Sequence, residues 1–479
     1  MDSVLSSYEV VVGLEVHAEL KTKSKIFCSC PTEFGAPPNT QCCPVCMGLP
    51  GALPVLNQTA VEYAVKAGLA TNCTIANISK FDRKNYFYPD MPKAYQISQY
   101  DFPLCRNGFL EIETEAGSKK IGIIRIHIEE DAGKLIHNEN GETLLDFNRC
   151  GIGLIEIVCA PDIRSGEEAR AYLQKLRTLL LYVGVSDCRM NEGSLRCDVN
   201  LSVRKKGARE FGVRTEIKNL NSFSFVVKAI EYEFRRQVAL LEAGETVCQQ
   251  TRRFDMTTGK TELMRSKENA EDYRYFPEPD LLPIYVDQGK IEKLREEIPC
   301  LPDERKKLYR ERYGVSAYDA EILCSDLMLA EYFECGADKT KYPKVLANMI
   351  LSELMRLSVT ELFFAPISPL HMAELSDLLG DETINSSTAK SLIAQMWERD
   401  SSPADLVREQ NLMQINDAEV LLKNVDEAIL SNPKALADYQ KGKKAAAKVI
   451  VGRVMAQTRG RANPVLLGRL VEERMNESL

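Results

Sequence analysis

Residues 13–20, GLEVHAEL, carry an unusual density of potential metal ligands. Alternate residues of a strand share a face, so Glu15, His17 and Glu19 would line one side and Leu14, Val16, Ala18 and Leu20 the other. Carboxylates beside an imidazole can hold a divalent cation, although any strand with one solvated face alternates in the same way. Further along, IGIIRIHIEEDAGK (121–134) runs from a β-branched strand into Glu129, Glu130 and Asp131, which repel one another unless something cationic sits among them. Strict alternation puts Glu129 and Glu130 on opposite faces, so both can reach one metal cluster only if the strand bulges or ends there. SLRCDVNLSV (194–203) sets Arg196, Asp198 and Asn200 on one face, and VRTEIKNLNS (213–222) does the same for Arg214, Glu216 and Lys218.

Several strands therefore carry acids and bases on one face and apolar residues on the other, as expected of a sheet whose open face is an active site. Carboxylates suit Mg²⁺, a hard cation that prefers oxygen ligands, and one imidazole can join them. Interleaved Arg and Lys can neutralise phosphate oxygens. There is no GxxxxGK[ST] loop, and Gly151-Ile-Gly153 lacks the remaining spacing of a dinucleotide fingerprint. If ATP binds, it does so on a fold without a P-loop.

A second constellation is CSCPTEFGAPPNTQCCPVC, with Cys28-x-Cys30 and, after a Gly/Pro-containing loop, Cys43-x₂-Cys46. Two such pairs can meet around tetrahedral Zn²⁺, and four thiolates leave no open position, so the metal would be structural. Cys42 can stand in for Cys43 in this pattern, and free structural thiols are the alternative. The chain has 15 cysteines, an odd number that includes this adjacent pair, which does not read as a disulfide framework.

The elements that must position these groups are α+β up to about Val286, with short alternating segments that suggest a mostly antiparallel sheet. Helices are predicted over 166–182 and 225–243 in this part, and over 318–334 and 344–357 in the all-helical part that starts near Ile291. A polar break at 399–403, RDSSP, fits a linker. Two last helices follow, an apolar stripe from Ala447 to Met455 with its stop at Gly460, then one started by Asn463-Pro464. With 479 residues this gives three domains, 1–292, 293–402 and 403–479. The formal charge of −8 excludes a protein coated in positive charge, though not a local basic patch. Without a long apolar run, a secretory signal or an Arg-rich leader, a soluble, cytoplasmic protein is expected.

Taken together, VVGLEVHAEL, KFDRKNYFYPDMPKAYQISQYDFPL, RIHIEEDAGK, LIEIVCAPDIRS, MNEGSLRCDVNLSVR, EIKNLNSF and LMRSKENAEDYRYFPEPDLLP resemble the B subunits of glutamyl/aspartyl-tRNA amidotransferases, the GatCAB family. The likeness covers essentially the whole chain, including KGKKAAAKVIVGRVMAQTRGRANP, which is similar to that family's YqeY-like tail domain. It implies a catalytic cradle domain similar to glutamine synthetase, a fold that also lacks a P-loop, followed by an all-helical domain and the tail. The implied reaction uses ATP to phosphorylate the side-chain carboxylate of Glu on tRNA(Gln) or Asp on tRNA(Asn), after which ammonia displaces phosphate.

Carried onto matching positions, the resemblance implies Glu15, His17, Glu129, Glu130 and Asp198 as Mg²⁺ ligands and Cys28, Cys30, Cys43 and Cys46 as a structural zinc site. Arg83, Lys84, Lys134, Arg149, Arg196 and Lys218 are candidates for phosphate or carboxylate contacts, with ordinary ion pairs as the alternative. Tyr86-Phe87-Tyr88 can stack on adenine or terminal tRNA bases, or simply pack in the core. The chain shows no serine-amidase signature and no cysteine evidently paired with a nearby histidine, so ammonia must come from elsewhere. The resemblance implies a separate amidase, the A component of GatCAB, with a small C component completing a heterotrimer.

Between 441 and 471 there are eight Lys/Arg and no acids. Lys441, Lys443, Lys444, Lys448, Arg453, Arg459 and Arg461 are candidates for a tRNA footprint, against a merely solvated basic helix pair. Two other functions fit parts of the pattern: a glutamine-synthetase-like ligase acting on a free small acid, and a non-catalytic zinc-containing RNA-binding protein. Dependence of ATP hydrolysis on tRNA separates the first from the amidotransferase. Loss of phosphorylation in a folded Glu15→Ala or Asp198→Ala protein separates the second.

Overall fold

The computed structural model describes residues 2–138, 140–266, 273–359, 362–458 and 460–477. They form two compact units, Met1–Leu301 and Pro302–Leu479.

The first unit is built on a nine-stranded sheet whose central strands carry the polar faces read from the sequence. These are β1 (Tyr8–Glu19), β2 (Gly117–Glu130), β3 (Gly153–Cys159), β4 (Leu195–Lys205) and β5 (Thr215–Lys218). The spatial order from one edge is Lys260–Ser266, Gln250–Asp255, β5, β4, β1, β3, β2, Cys105–Thr114 and Thr74–Ile75. All neighbours are antiparallel except β5 and Gln250–Asp255. The mixed α+β, mostly antiparallel reading thus describes this unit.

Alternation sets the two faces of β1. Leu14, Val16 and Ala18 are fully buried, whereas Glu15, His17 and Glu19 are only partly so. Two helices pack on the apolar side, α1 (Gly166–Tyr182) and α2 (Phe223–Glu242). Ser165 caps α1 by accepting from the Glu168 N–H, and Ser222 caps α2 by accepting from that of Phe225, so the chain commits to each helix directly after its loop. On α1, Ala169, Tyr172, Leu173, Leu176 and Leu180 are buried at helical spacing. Each leucine so removed from water contributes about 1.5–3 kcal/mol. A smaller three-stranded sheet, Asp82–Asn85 flanked by Tyr95–Ser98 and Phe276–Pro277, lies in the same unit.

The second unit is helical among its described residues. The helix expected over 318–334 is divided into Ala317–Leu323 and Leu327–Ala337, because Asp326 turns the chain and caps the second piece through the Leu329 N–H. The one expected over 344–357 starts at Pro343 and passes through a wider π-helical turn, Ile350–Leu354, before Met355–Leu357. The break at 399–403 falls between Ser386–Glu398 and Pro403–Glu409. The last two helices are Ala447–Gln457 and Pro464–Glu477, and Asn463 accepts from the Val465 and Leu466 N–H groups as the cap. With Leu421, Val425 and Ile429 they enclose a core of Ile450, Val454, Leu467, Leu470 and Val471. Among the described residues no helix is long and apolar enough to cross a membrane.

Candidate functional site

The polar face of the sheet is organised by register. Glu15 on β1 lies opposite Asp198 on β4, and His17 lies between Arg196 on β4 and Glu156 on β3. Glu156 is in turn opposite His127 on β2, and Asn200 opposite Glu216 on β5. Five strands thus converge side chains onto one patch. Because the strands are paired along the backbone, no loop is needed to hold the groups in place.

Two ligand sets form there, each with donor atoms within 4.8 Å of one another: His17, Glu129 and Glu156, and beside them Glu15, Asp198 and Glu216. In the first, His17 Nε2 is 3.6 Å from Glu129 Oε1 and 3.4 Å from Glu156 Oε2. His127 Nε2 is 3.4 Å from both Glu129 Oε2 and Glu156 Oε2, and the Ser98 hydroxyl donates to Glu129 at 3.1 Å. In the second, Lys218 Nζ sits 2.6 Å from Asp198 Oδ2 and 3.0 Å from Glu216 Oε1, and the Asn200 amide donates to Glu15 at 2.9 Å.

The electrostatics follow from this crowding. Burial raises the Glu15 pKa, and the neighbouring charges of Glu156 and Asp198 raise it further. Burial also opposes ionisation of Glu156, but the two imidazoles beside it win and hold its carboxyl well below the ordinary value. Burial likewise disfavours the imidazolium of His127, yet Glu156 and Glu129 push its pKa up to about 9. Carboxylates gathered so closely on a sheet face are held apart in energy unless a cation joins them. Oxygen donors with a single imidazole are the donor chemistry that suits Mg²⁺, so the residues fit that ion.

Some residues expected at the site are placed elsewhere. Glu130 is salt-bridged to Lys93, accepts from the Ile97 N–H at 2.8 Å, and lines a separate cavity of about 190 Å³ with Cys28, Cys46 and Gly151. The strand does not bulge there, so alternation separates it from Glu129. Arg83 is held by both oxygens of buried Glu278, at 2.7 and 2.9 Å, and by Asp280 at 3.0 Å, the ion-pair alternative for this residue. Lys134 is exposed on the Lys134–His137 strand. Arg149 donates to the carbonyls of Ala132 and Gly133 and lies 3.6 Å from Asp131.

Lys84, Arg196 and Lys218, in contrast, line one cavity of about 430 Å³ together with His17, Glu129 and Asp198. Arg196 is oriented by Asp131 at 2.5 Å. Glu19, left without a role by its sequence, belongs to this edge: burial and Asp131 raise its pKa.

Glu156 and Glu216 were not among the expected ligands. A single acid within the otherwise apolar LIEIVC was the available sign for Glu156, and alternation with Arg214 and Lys218 was the sign for Glu216.

The four sulfurs of Cys28, Cys30, Cys43 and Cys46 lie within 4.8 Å of one another. Cys43 and Cys46 are 4.0 Å apart, near the ~3.8 Å that tetrahedral Zn–S bonds of about 2.3 Å require. Cys42 is not in the set; its thiol donates to the Asn39 carbonyl at 3.3 Å. The residues fit zinc, with Cys43 and not Cys42 in the set. Lys25, completely buried, places Nζ 3.6 Å from Cys46 Sγ and 3.4 Å from the Phe147 carbonyl. The cysteine loop is also tied to 145–148: Asn39 donates to Asp146 and Leu145 and accepts from Phe147, and Asn148 accepts from Gln41.

In the second unit Lys441, Lys443, Lys444, Lys448 and Arg453 are exposed, and Arg461 is half-buried. Lys443 pairs with Asp438 at 3.2 Å, and Arg461 donates to the Thr458 and Asn411 carbonyls. Arg459 lies outside the described residues.

A model of the GatB/GatE catalytic domain matches residues 10–292, and a model described as the GatB domain matches 331–475. The chain is 56% identical over 477 residues to the B subunit of the aspartyl/glutamyl-tRNA(Asn/Gln) amidotransferase of Caldicellulosiruptor saccharolyticus, covering 98% of this chain and 99% of the relative. It is 52% identical over 478 residues to the protein of the same name from Carboxydothermus hydrogenoformans, with the same coverage. Its identity to that from Geobacillus thermodenitrificans is 51% over 474 residues, covering 98% of this chain and 100% of the relative.

Proposed function

The chain belongs to the GatB/GatE family, and from that membership and the converging carboxylate face we propose that it carries the amidation chemistry of a glutamine-hydrolysing, tRNA-dependent amidotransferase. Its substrates are then Glu-tRNA(Gln), Asp-tRNA(Asn) or both, converted to Gln-tRNA(Gln) and Asn-tRNA(Asn) in a ligase reaction driven by ATP. The observation that carries this reading is the pair of ligand sets on one sheet face, His17, Glu129, Glu156 and Glu15, Asp198, Glu216, of which His17, Glu129 and Asp198 line the cavity.

The reaction joins two anions, since the substrate carboxylate must attack the γ-phosphate of ATP. Its barrier is lowered mainly by neutralisation and positioning. Magnesium held by the two sets would neutralise phosphate oxygens. The chain's own cations supply the rest. Lys84 and Lys218 offer ammonium groups on the cavity wall, and Arg196, its guanidinium oriented by Asp131, presents a fixed fork to a carboxylate or phosphoryl group. Backbone pairing along β1, β3 and β4 keeps these groups in place, so little reorganisation accompanies the charge shift.

In the same reading the sheet domain, 1–292, is a cradle like that of glutamine synthetase, 293–402 a helical domain, and 403–479 a YqeY-like tail that binds tRNA. Zinc on Cys28, Cys30, Cys43 and Cys46 is structural. The amidase and the small C component complete the heterotrimer, the amidase supplying ammonia by glutamine hydrolysis, and the assembly works in the cytoplasm.

The deciding experiment reconstitutes the chain with its amidase and small-component partners and measures tRNA-dependent ATP hydrolysis and amide formation on each mischarged tRNA. Glu15→Gln, Asp198→Asn and Glu156→Gln should each abolish amide formation while the partner's glutaminase and tRNA binding persist. Undiminished amidation by all three would overturn the assignment. ATP hydrolysis stimulated by free glutamate and not by tRNA would favour the ligase alternative instead.

A further inference from the structure

The small sheet beside the cavity carries a feature that metal and phosphate chemistry does not use. Tyr100 is 55% exposed and lies over Tyr275, with ring centroids 4.3 Å apart and planes 11° from parallel. Tyr275 in turn meets Tyr273 edge-on at 6.1 Å, and the Lys84 ammonium sits 4.9 Å from the Tyr273 ring. Further along the same segment, Tyr86 and Tyr88 stack at 5.8 Å, with Tyr88 51% exposed. Tyr273, Lys84 and Tyr86 also line the cavity that holds His17, Glu129 and Asp198. A run of rings therefore leads from solvent at Tyr100 to the wall of the reaction cavity.

An exposed ring face with cations nearby is a surface on which an unpaired nucleobase stacks, since every base has a π-face, and the outer face of Tyr100, backed by Tyr275, is such a face. The charge agrees. Lys84 lies within the run, Arg274 is exposed beside it, and Asp101, the acid next to Tyr100, is neutralised by Lys80 at 2.8 Å. The reaction makes a demand of its own, because the carboxylate to be amidated is esterified to the terminal ribose of tRNA. The last nucleotides of the acceptor end must then lie within one amino acid's reach of the ligand sets. Tyr275 covers the inner face of Tyr100 and Tyr273 meets Tyr275 edge-on, so the run offers one open stacking face, at Tyr100, and ends with Tyr273 at the cavity wall.

We propose that Tyr100, backed by Tyr275, forms a stacking surface for an unpaired 3′-terminal nucleotide of the tRNA substrate, and that the aminoacyl end passes Tyr273 into the cavity. This rests on the tRNA-amidation reading.

The test uses the reconstituted complex and measures binding of mischarged tRNA, binding of the same tRNA trimmed of its terminal unpaired nucleotides, and the KM for ATP. Tyr100→Ala should weaken binding of intact tRNA by about fivefold to a hundredfold, the range for loss of one base–aromatic stack. Tyr100→Phe, which keeps the ring, should bind as the wild type does. With trimmed tRNA, wild type and Tyr100→Ala should bind alike, and the KM for ATP should not move. Equal binding of intact tRNA by wild type and Tyr100→Ala, the same loss with trimmed tRNA, or a raised KM for ATP with unchanged tRNA binding would each overturn the stacking surface alone. Failure of the wild-type complex to bind or amidate any mischarged tRNA would overturn the underlying reading as well.

Discussion

Glu129 and Glu130, adjacent at the end of β2, line different cavities: Glu129 faces His17 and Asp198, whereas Glu130 is paired with Lys93 beside Cys28 and Cys46. The two acids should therefore respond differently to loss of charge. Glu129→Gln is expected to raise the magnesium concentration needed for ATP hydrolysis about tenfold or more, the equivalent of one lost charged ligand worth roughly 1.4 kcal/mol. Glu130→Gln strands the buried Lys93 ammonium and should cost about 3–5 kcal/mol of stability, while the magnesium midpoint of the remaining folded protein stays where it was. A magnesium titration and a melting curve on each variant separate the cases. A shifted magnesium midpoint in Glu130→Gln would show that the two carboxylates share an ion.

The same pair marks how far the sequence could be read. Period-two alternation identified the faces of β1, β4 and β5 correctly because a buried sheet face tolerates no slip of register. It also contained the warning about Glu130, which only the motif resemblance set aside. What it could not supply was strand order. Glu156 joins His17 because β3 lies next to β1, a pairing between residues far apart in the chain that no local pattern encodes. The ion pair of Arg83 was illegible for a related reason, since its partner Glu278 arrives from nearly two hundred residues away. The helix over 318–334 failed locally instead: its apolar spacing continues through Asp326, but that side chain caps a new helix more favourably than it extends the old one.

Lys25 predicts the behaviour of the cysteine site. Zinc with four thiolates carries two net negative charges, and a buried ammonium 3.6 Å from Cys46 Sγ offsets one of them in a place water does not reach. Lys25→Met should leave the four ligands in place yet speed zinc release to a competing chelator by about tenfold, equivalent to roughly 1.4 kcal/mol. Because the cysteine loop also clamps 145–148, amide hydrogen exchange in that segment should accelerate when zinc is removed from the wild type. Unchanged release kinetics in the variant would show that Lys25 does not balance the site's charge.

Arg83 is expected to act on stability and not on catalysis. Its guanidinium meets Glu278 through two parallel hydrogen bonds and lies 4.2 Å from the Tyr95 ring centroid, a geometry that lysine cannot reproduce. Arg83→Lys should lower the melting temperature through a loss of about 1–3 kcal/mol, since Glu278 would keep its charge but lose its bidentate partner. The KM for ATP should be unchanged. A raised KM at unchanged stability would return Arg83 to the phosphate-binding group.

The tail makes a prediction about salt. Lys441, Lys444, Lys448 and Arg453 are exposed, whereas Lys443 is engaged by Asp438. If the exposed cations neutralise tRNA phosphates, each contact releases condensed counterions and adds about 0.7–0.9 to the slope of log K against log salt. Replacing all four with Gln should therefore flatten that slope by about 3 and weaken binding most at low salt. Folding should be nearly unaffected, because none of these side chains contributes to the core of Ile450, Val454, Leu467 and Leu470. Filter binding across a salt series reads the slope directly. The same slope before and after the substitutions, in a protein with an unchanged melting temperature, would place the tRNA contacts of this chain elsewhere.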